Sequence, residues 1–280
     1  MRIRVTADST CDLSPELVEQ YGIVISPLYI VMDGKSYKDT VEIKPDDIYA
    51  YVDRTKKVCS TAALNVADYL KFFEKNKEGY DAIIHFTISS EMSSCYQNAC
   101  IAAEEIGNVW VIDSRTLSTG IGHLVLDAAE LAAEGKEPQE ICDILNKKKE
   151  TLDVSFVIDT LKYLALGGRC SSLAALGANL LNLKPTICVV NGKMIVGKKY
   201  RMSLDRALLR YVKDQLGDLD TVDTHRIFIT DSGVSEENWR AVEKLLRETL
   251  PFEQIYHTRA GGTVSNHCGP GTLGILFYRK

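Results

Sequence analysis

No stretch of this 280-residue sequence is apolar and uncharged for long enough to cross a bilayer. The longest, Cys170 to Leu183, falls short of the ~20 residues that a spanning helix needs, so no integral membrane segment is expected. Positive charge is not in excess either. Lys and Arg number 33 against 38 Asp and Glu, a net charge of −5, which speaks against a nucleic-acid binder. Charge runs are short: Lys147-Lys148-Lys149-Glu150 reads as a solvated helix end. The eight cysteines form no Cys-x-x-Cys and have no histidine at ligand spacing, so no metal site is expected. The chain enters a strand directly at Met1-Arg2-Ile3-Arg4-Val5, without the apolar run of an export signal. The expectation is a cytoplasmic protein whose cysteines are free thiols acting as small apolar fillers.

Three familiar signatures fail on spacing or context. Gly34-Lys35-Ser36 looks like the end of a nucleotide P-loop, but Tyr29 stands where the first glycine is required. Gly269-x-Gly271-x-x-Gly274 matches the dinucleotide fingerprint in letters. That motif must open a helix with an acidic residue about 20 positions on; here six residues remain and Ile275-Leu276-Phe277-Tyr278 reads as a strand. Those glycines read instead as letting backbone approach a ligand head group beside His267. No Gly-x-Ser-x-Gly elbow is present.

What is present is organised around Asp81 to Ala99, DAIIHFTISSEMSSCYQNA. Ala82-Ile83-Ile84-His85-Phe86-Thr87 is a short apolar run of buried-strand type, and Cys95 onward reads as a helix start. Between them lie Ser89, Ser90, Ser93 and Ser94. One serine suffices as a helix cap; four exceed that need and suggest an anion site built from hydroxyls and helix N–H groups. A second hydroxyl-bearing loop is expected around Ser60-Thr61. The other histidines, at 85, 123, 225 and 257, read as structural.

Strands and helices alternate through the first half, at Val5-Thr6-Ala7, 23–31, 82–87 and 109–113 for the strands. The polar loops all follow strands and so should gather on one edge. The second half holds an Asn191-Gly192 hairpin signal and an apolar helix expected over 173–183. The fold expected is α/β in two domains: a parallel doubly wound α/β sheet over 1–152 and an α+β domain with a mixed sheet over 153–280.

In this order the elements resemble the DegV family of bacterial lipid-binding proteins. Asp8-Ser9-Thr10-Cys11-Asp12-Leu13 is similar to the family's Asp-Ser-x-x-Asp-Leu opening, and Ser60-Thr61 lies where the family has Thr-Ser-Gln-Pro-Ser. Ser89-Ser90-Glu91-Met92-Ser93-Ser94-Cys95-Tyr96-Gln97-Asn98-Ala99 resembles its Ser-Ser-Gly-Leu-Ser-Gly-Thr-Tyr-Gln-Ser-Ala. Leu161-Lys162-Tyr163-Leu164 with Gly167-Gly168-Arg169, then Lys184-Pro185, match the start of its second domain. His267-x-Gly269-Pro270-Gly271-x-x-Gly274 matches its close. The chain departs at Ala62-Ala63, which leaves the Ser60/Thr61 register open by one residue, and at Glu91, which stands in place of a glycine.

The resemblance implies a long-chain fatty acid held between two domains, no other cofactor, and no enzyme activity of the chain's own. It also implies a partner, an ATP-dependent fatty acid kinase catalytic subunit that forms acyl phosphate for phospholipid synthesis. Carried over by position, the carboxylate-binding hydroxyls fall on Thr61 and Ser93, with Ser60 and Ser94 beside them and His267 near the head group. Arg169 and Arg201 would serve the phosphate or the partner surface. Two alternatives stand beside this reading: a lipid hydrolase with Ser93 or Thr61 as nucleophile and His267 as base, and a nucleotide-dependent α/β enzyme. Acyl chain length is not legible.

Overall fold

A computed structural model describes residues 1–176 and 183–280. The elements run β1 (Ile3–Asp8), α1 (Pro15–Gln20), β2 (Val24–Ser26), β3 (Tyr29–Met32), β4 (Lys35–Lys38), α2 (Pro45–Thr55) and β5 (Ser60–Ala62). Next come α3 (Val66–Lys77), β6 (Ala82–Thr87), α4 (Cys95–Ile106), β7 (Val109–Asp113), α5 (Thr119–Ala133) and α6 (Pro138–Lys148). The remainder is β8 (Leu152–Val157), α7 (Lys162–Gly167), β9 (Leu183–Val190), β10 (Lys193–Arg201), α8 (Leu204–Leu216) and β11 (Val222–Ser232). It closes with α9 (Glu236–Thr249), β12 (Gln254–Arg259), α10 (Gly262–Cys268) and β13 (Thr272–Arg279). The chain divides into two compact units that are not contiguous in sequence. Unit 1 comprises Met1–Lys44, Cys59–Glu150 and Gly261–Thr263; unit 2 comprises Pro45–Val58, Thr151–Ala260 and Val264–Lys280.

Unit 1 is built on a parallel four-stranded sheet of order β2-β1-β6-β7. All six residues of β6 are buried, as a parallel strand covered on both faces requires. Helices α3 and α4 pack on each other and on β6 and β7, while α5 and α6 pair and lie against β1, β6 and β7. Strand β1 is followed in sequence by its neighbour on one side and paired with β6 on the other. The strand order therefore reverses between β1 and β6, and the loops that leave their carboxyl ends flank a topological switch point. A small antiparallel sheet, order β4-β3-β5, completes the unit. Asp33 and Gly34 both have positive φ, 49° and 77°, as a two-residue I′ hairpin turn demands. Ser60-Thr61, expected in a loop, is strand. It is too short to carry a periodic signal and is extended because it pairs with β3.

Unit 2 carries a six-stranded mixed sheet, order β10-β9-β8-β13-β11-β12, in which only β11 and β12 run parallel. Its core forms where Leu208, Tyr211 and Val212 of α8 and Val242 and Leu246 of α9 meet the sheet, at the three- and four-residue spacings of one helix face. Asn191 and Gly192, at φ 51° and 80°, make the β9–β10 turn. The helix expected over 173–183 is not borne out at its ends. Ser171–Leu176 is a short 3-10 helix, Leu183 opens β9, and residues 177–182 lie outside the described residues. Helix α2 belongs to unit 2, where Asp46 pairs with Arg259 and the Tyr49 hydroxyl bonds to Ser232.

Tyr211 joins three elements of unit 2. Its hydroxyl donates to Ser155 O at 2.7 Å and accepts the Ile275 N–H at 3.0 Å. Tyr211→Phe leaves that buried N–H without this acceptor, and a stability loss of about 1–3 kcal/mol is expected in urea unfolding. An unchanged midpoint would show that the hydroxyl contributes nothing to the sheet.

Candidate functional site

The loop after β6 is held by hydrogen bonds to neighbouring segments of unit 1 at Ile88–Ser90, and by bonds to its own Ser89 at Glu91, Met92 and Ser93. Ile88 N–H donates to Asp8 Oδ2 at 2.8 Å, and Ser89 N–H to Thr116 O at 2.9 Å. Asp113 at the end of β7 accepts from both the N–H (3.1 Å) and the hydroxyl (2.6 Å) of Ser90. Glu91 is exposed and pairs with Arg115 at 3.3 Å. The carboxylate that replaces a glycine is therefore turned to solvent and neutralised.

Ser93 and Ser94 differ in placement. Ser94 is exposed at the N-cap position of α4, with no side-chain capping bond. Ser93 is half-buried; its Oγ accepts the Cys95 N–H at 3.3 Å and donates to Cys95 Sγ at 3.1 Å. A helix N–H thus fixes the hydroxyl, and its proton rests on sulfur, a weak acceptor. Burial pushes the Cys95 thiol up to about 11, so it stays a neutral filler. In β5, Ser60 is exposed opposite Val31 and Thr61 half-buried opposite Ile30. Asn98 Nδ2 of α4 donates to Leu64 O at 2.7 Å, which ties the segment after Thr61 to the helix that Ser93 opens. His85 is core: Nδ1 lies 2.8 Å from Thr6 Oγ1, aromatic rings of Tyr69 and Phe73 surround it, and burial lowers its pKa to about 3.

In unit 2, His267 lies in the last turn of α10, half-buried, against Gly167 at the end of α7. A Cβ at Gly167 would stand 2.3 Å from His267 Nδ1, so no larger residue fits there without displacing the ring. Gly168 follows at φ 67°, and exposed Arg169 turns its Nη1 back to Gly167 O at 2.7 Å. Burial first, and then the Arg169 charge, lower the His267 pKa to about 4. At neutral pH the imidazole is uncharged and a poor base. Arg201, exposed, ends β10 opposite Leu183. The glycines at the chain's end meet protein rather than open space: a Cβ at Gly269 would lie 2.6 Å from the Tyr163 ring. Thr61 and Ser93 thus share unit 1, while His267, Arg169 and Arg201 share unit 2. Sequence reasoning missed Asp39, which accepts the Gly262 and Thr263 N–H groups, and Asp113, which accepts from Arg115 N–H as well as from Ser90. Their only signal was an acidic residue at, or just after, the end of a strand.

A parallel sheet with a hydroxyl-lined switch point, followed by a mixed-sheet unit carrying Gly-Gly-Arg and a half-buried histidine, defines a two-domain α/β protein. The family model described as "Uncharacterised protein, DegV family" matches residues 2–280, and the chain belongs to that family. It is 32% identical, over 283 aligned residues, to a DegV domain-containing protein of Caldanaerobacter subterraneus, covering 100% of this chain and 99% of that one. Among solved structures it is similar to a DegV family protein from Thermus thermophilus described by its fatty acid binding, with a TM-score of 0.90, 29% identity and full coverage of both chains. It is also similar to DegV from Bacillus subtilis, described as a fatty acid binding protein, with a TM-score of 0.88, 28% identity and full coverage of both.

Gly167→Ala places a methyl where the His267 ring stands. A loss of about 1–3 kcal/mol is expected from overpacking, with displaced His267 ring resonances in an NMR spectrum. Wild-type stability with unshifted resonances would show that the ring does not occupy this position.

Proposed function

We propose that the chain binds a long-chain fatty acid and presents its carboxylate to a partner ATP-dependent kinase in the cytoplasm, which forms an acyl phosphate for phospholipid synthesis. The reading is carried by the full-length match to DegV structures described as fatty acid binding. Thr61 and Ser93, half-buried hydroxyls of unit 1, are the proposed carboxylate ligands, with Ser60 and Ser94 at the exposed margin. His267 serves as a neutral N–H donor near the head group, and Arg169 and Arg201 face the phosphate or the partner. The bound acid is the only ligand invoked, and phosphoryl transfer belongs to the partner.

The energetics suit a lipid carrier. Burying about 15 methylenes contributes on the order of 12 kcal/mol gross, at ~0.8 per CH₂, against association costs of roughly 4–15 kcal/mol. Each hydrogen bond to the carboxylate adds ~1.5–3 kcal/mol. The tail therefore supplies most of the affinity, and the hydroxyls decide which end is presented. A hydrolase gains nothing from this arrangement: a histidine with a pKa near 4 activates a serine poorly, and the Ser93 proton is directed to Cys95.

Five single-alanine variants, each taken through a fatty acid binding isotherm and a coupled acyl-phosphate assay with the kinase, test the division of roles. Thr61→Ala and Ser93→Ala are expected to weaken binding by about 1–3 kcal/mol. Arg169→Ala, Arg201→Ala and His267→Ala are expected to leave binding nearly intact and depress phosphorylation. Equal losses in both assays for the second group would place those residues in the lipid site and overturn the assignment.

A further inference from the structure

Two hydroxyls of the loop after β6 differ in what receives their proton. Ser90 Oγ donates to Asp113 Oδ2 at 2.6 Å, a carboxylate that two backbone N–H groups also hold in place. That proton is committed to a strong, charged acceptor. Ser93 Oγ accepts the Cys95 N–H at 3.3 Å, which leaves its O–H to be donated, and the acceptor is Cys95 Sγ at 3.1 Å. Sulfur accepts weakly, so the Ser93 proton is aimed but loosely held.

Cys95 opens α4 and is fully buried. Its sulfur has further polar neighbours. The Leu64 backbone faces it, in the segment that follows Thr61, and Asn98 of the next turn holds the Leu64 carbonyl at 2.7 Å. The Tyr69 hydroxyl of α3, also fully buried, faces the same sulfur and makes no hydrogen bond to oxygen or nitrogen among the described residues. A hydroxyl at position 95 would serve both Tyr69 and Ser93 better than a thiol does. The thiol therefore leaves local stability unused.

Resting on the function proposed above, we infer that Cys95 is more than a filler: it is a positioning residue of the carboxylate site, acting through Ser93. Its sulfur aims the Ser93 hydroxyl without capturing it, so the proton swings to the fatty acid carboxylate when the ligand arrives. A weak O–H···S contact is then replaced by a charge-assisted O–H···O⁻ bond, and little of the gain is lost in breaking the first. With an oxygen acceptor at position 95, Ser93 would be committed as Ser90 is, and the net gain on binding would fall. Burial pushes the Cys95 thiol up to about 11, so no thiolate stands beside the bound anion. Stability and affinity are set against each other at this one atom.

The test is a set of palmitic and oleic acid binding isotherms on delipidated wild type, Cys95→Ser and Cys95→Ala, with urea unfolding midpoints of the same proteins. Cys95→Ser is expected to bind about 3- to 10-fold more weakly than wild type, the worth of one neutral hydrogen bond. Cys95→Ala offers Ser93 no acceptor and is expected to bind more tightly than Cys95→Ser. Stability should run the other way, with the Cys95→Ser midpoint above that of Cys95→Ala. A merely structural cysteine would make affinity follow stability; that result, or a Cys95→Ser affinity equal to wild type, would overturn the inference. Should a variant fail to fold, the wild type decides alone. Its Cys95 ¹³Cβ resonance is expected to shift when either acid is added, as the Ser93 bond leaves the sulfur, and an unmoved resonance in the loaded protein would overturn the inference. A wild type that binds neither acid would overturn the proposed function, and this inference with it.

Discussion

Hydrogen-bond satisfaction at the carboxyl edge of the parallel sheet is the constraint on which unit 1 depends. Where β1 and β6 part, their loops bury N–H groups that no sheet neighbour can receive, and a buried N–H without an acceptor costs about 1–3 kcal/mol. The chain meets that demand between loops. Asp8 takes the Ile88 N–H, Thr116 O takes that of Ser89, and Asp113 takes that of Ser90. Each loop is a template for the next. Ser93 reaches the start of α4 in a defined position because the residues before it are already fixed.

The consequence for chemistry is a site edge supplied with hydroxyls and amides. In the function proposed above, such an edge would hold a carboxylate through directed donors without trapping it as a lysine or metal would. Unit 2, taken by itself, arranges its polar residues on a different principle. Gly167 removes a side chain so that an imidazole can sit against backbone, and burial together with Arg169 keeps that imidazole neutral. In the function proposed above, a neutral donor beside an exposed guanidinium would suit a group whose negative charge grows on phosphorylation.

Much of this was legible in the sequence, for local reasons. Asn191-Gly192 and Asp33-Gly34 announce turns because few other pairs tolerate positive φ at both positions. The six apolar or buried residues of β6 and the Asn65-capped α3 carry their own signals. What was hidden depends on partners distant in sequence. β5 is three residues, Ser-Thr-Ala, and is a strand only through β3. β12, with exposed His257 and Arg259, owes its extension to β11. α10, Gly-Thr-Val-Ser-Asn-His-Cys, has no apolar period, and the first-turn N–H groups that begin it are received by Asp39, 223 residues earlier. The placement of α2 in unit 2 rests on Asp46–Arg259 and Tyr49–Ser232, pairs that no local pattern reveals. Of the proposed site, the serine loop was visible as a surplus of hydroxyls. The inward turn of Thr61 against Ser60 emerged only from strand pairing.

Native mass spectrometry of protein purified from bacteria, before and after organic extraction, tests lipid binding most directly. The expected result is a long-chain fatty acid bound to the protein as isolated, released by extraction and taken up again when added back. Protein that is ligand-free as isolated and binds no added long-chain acid would contradict it.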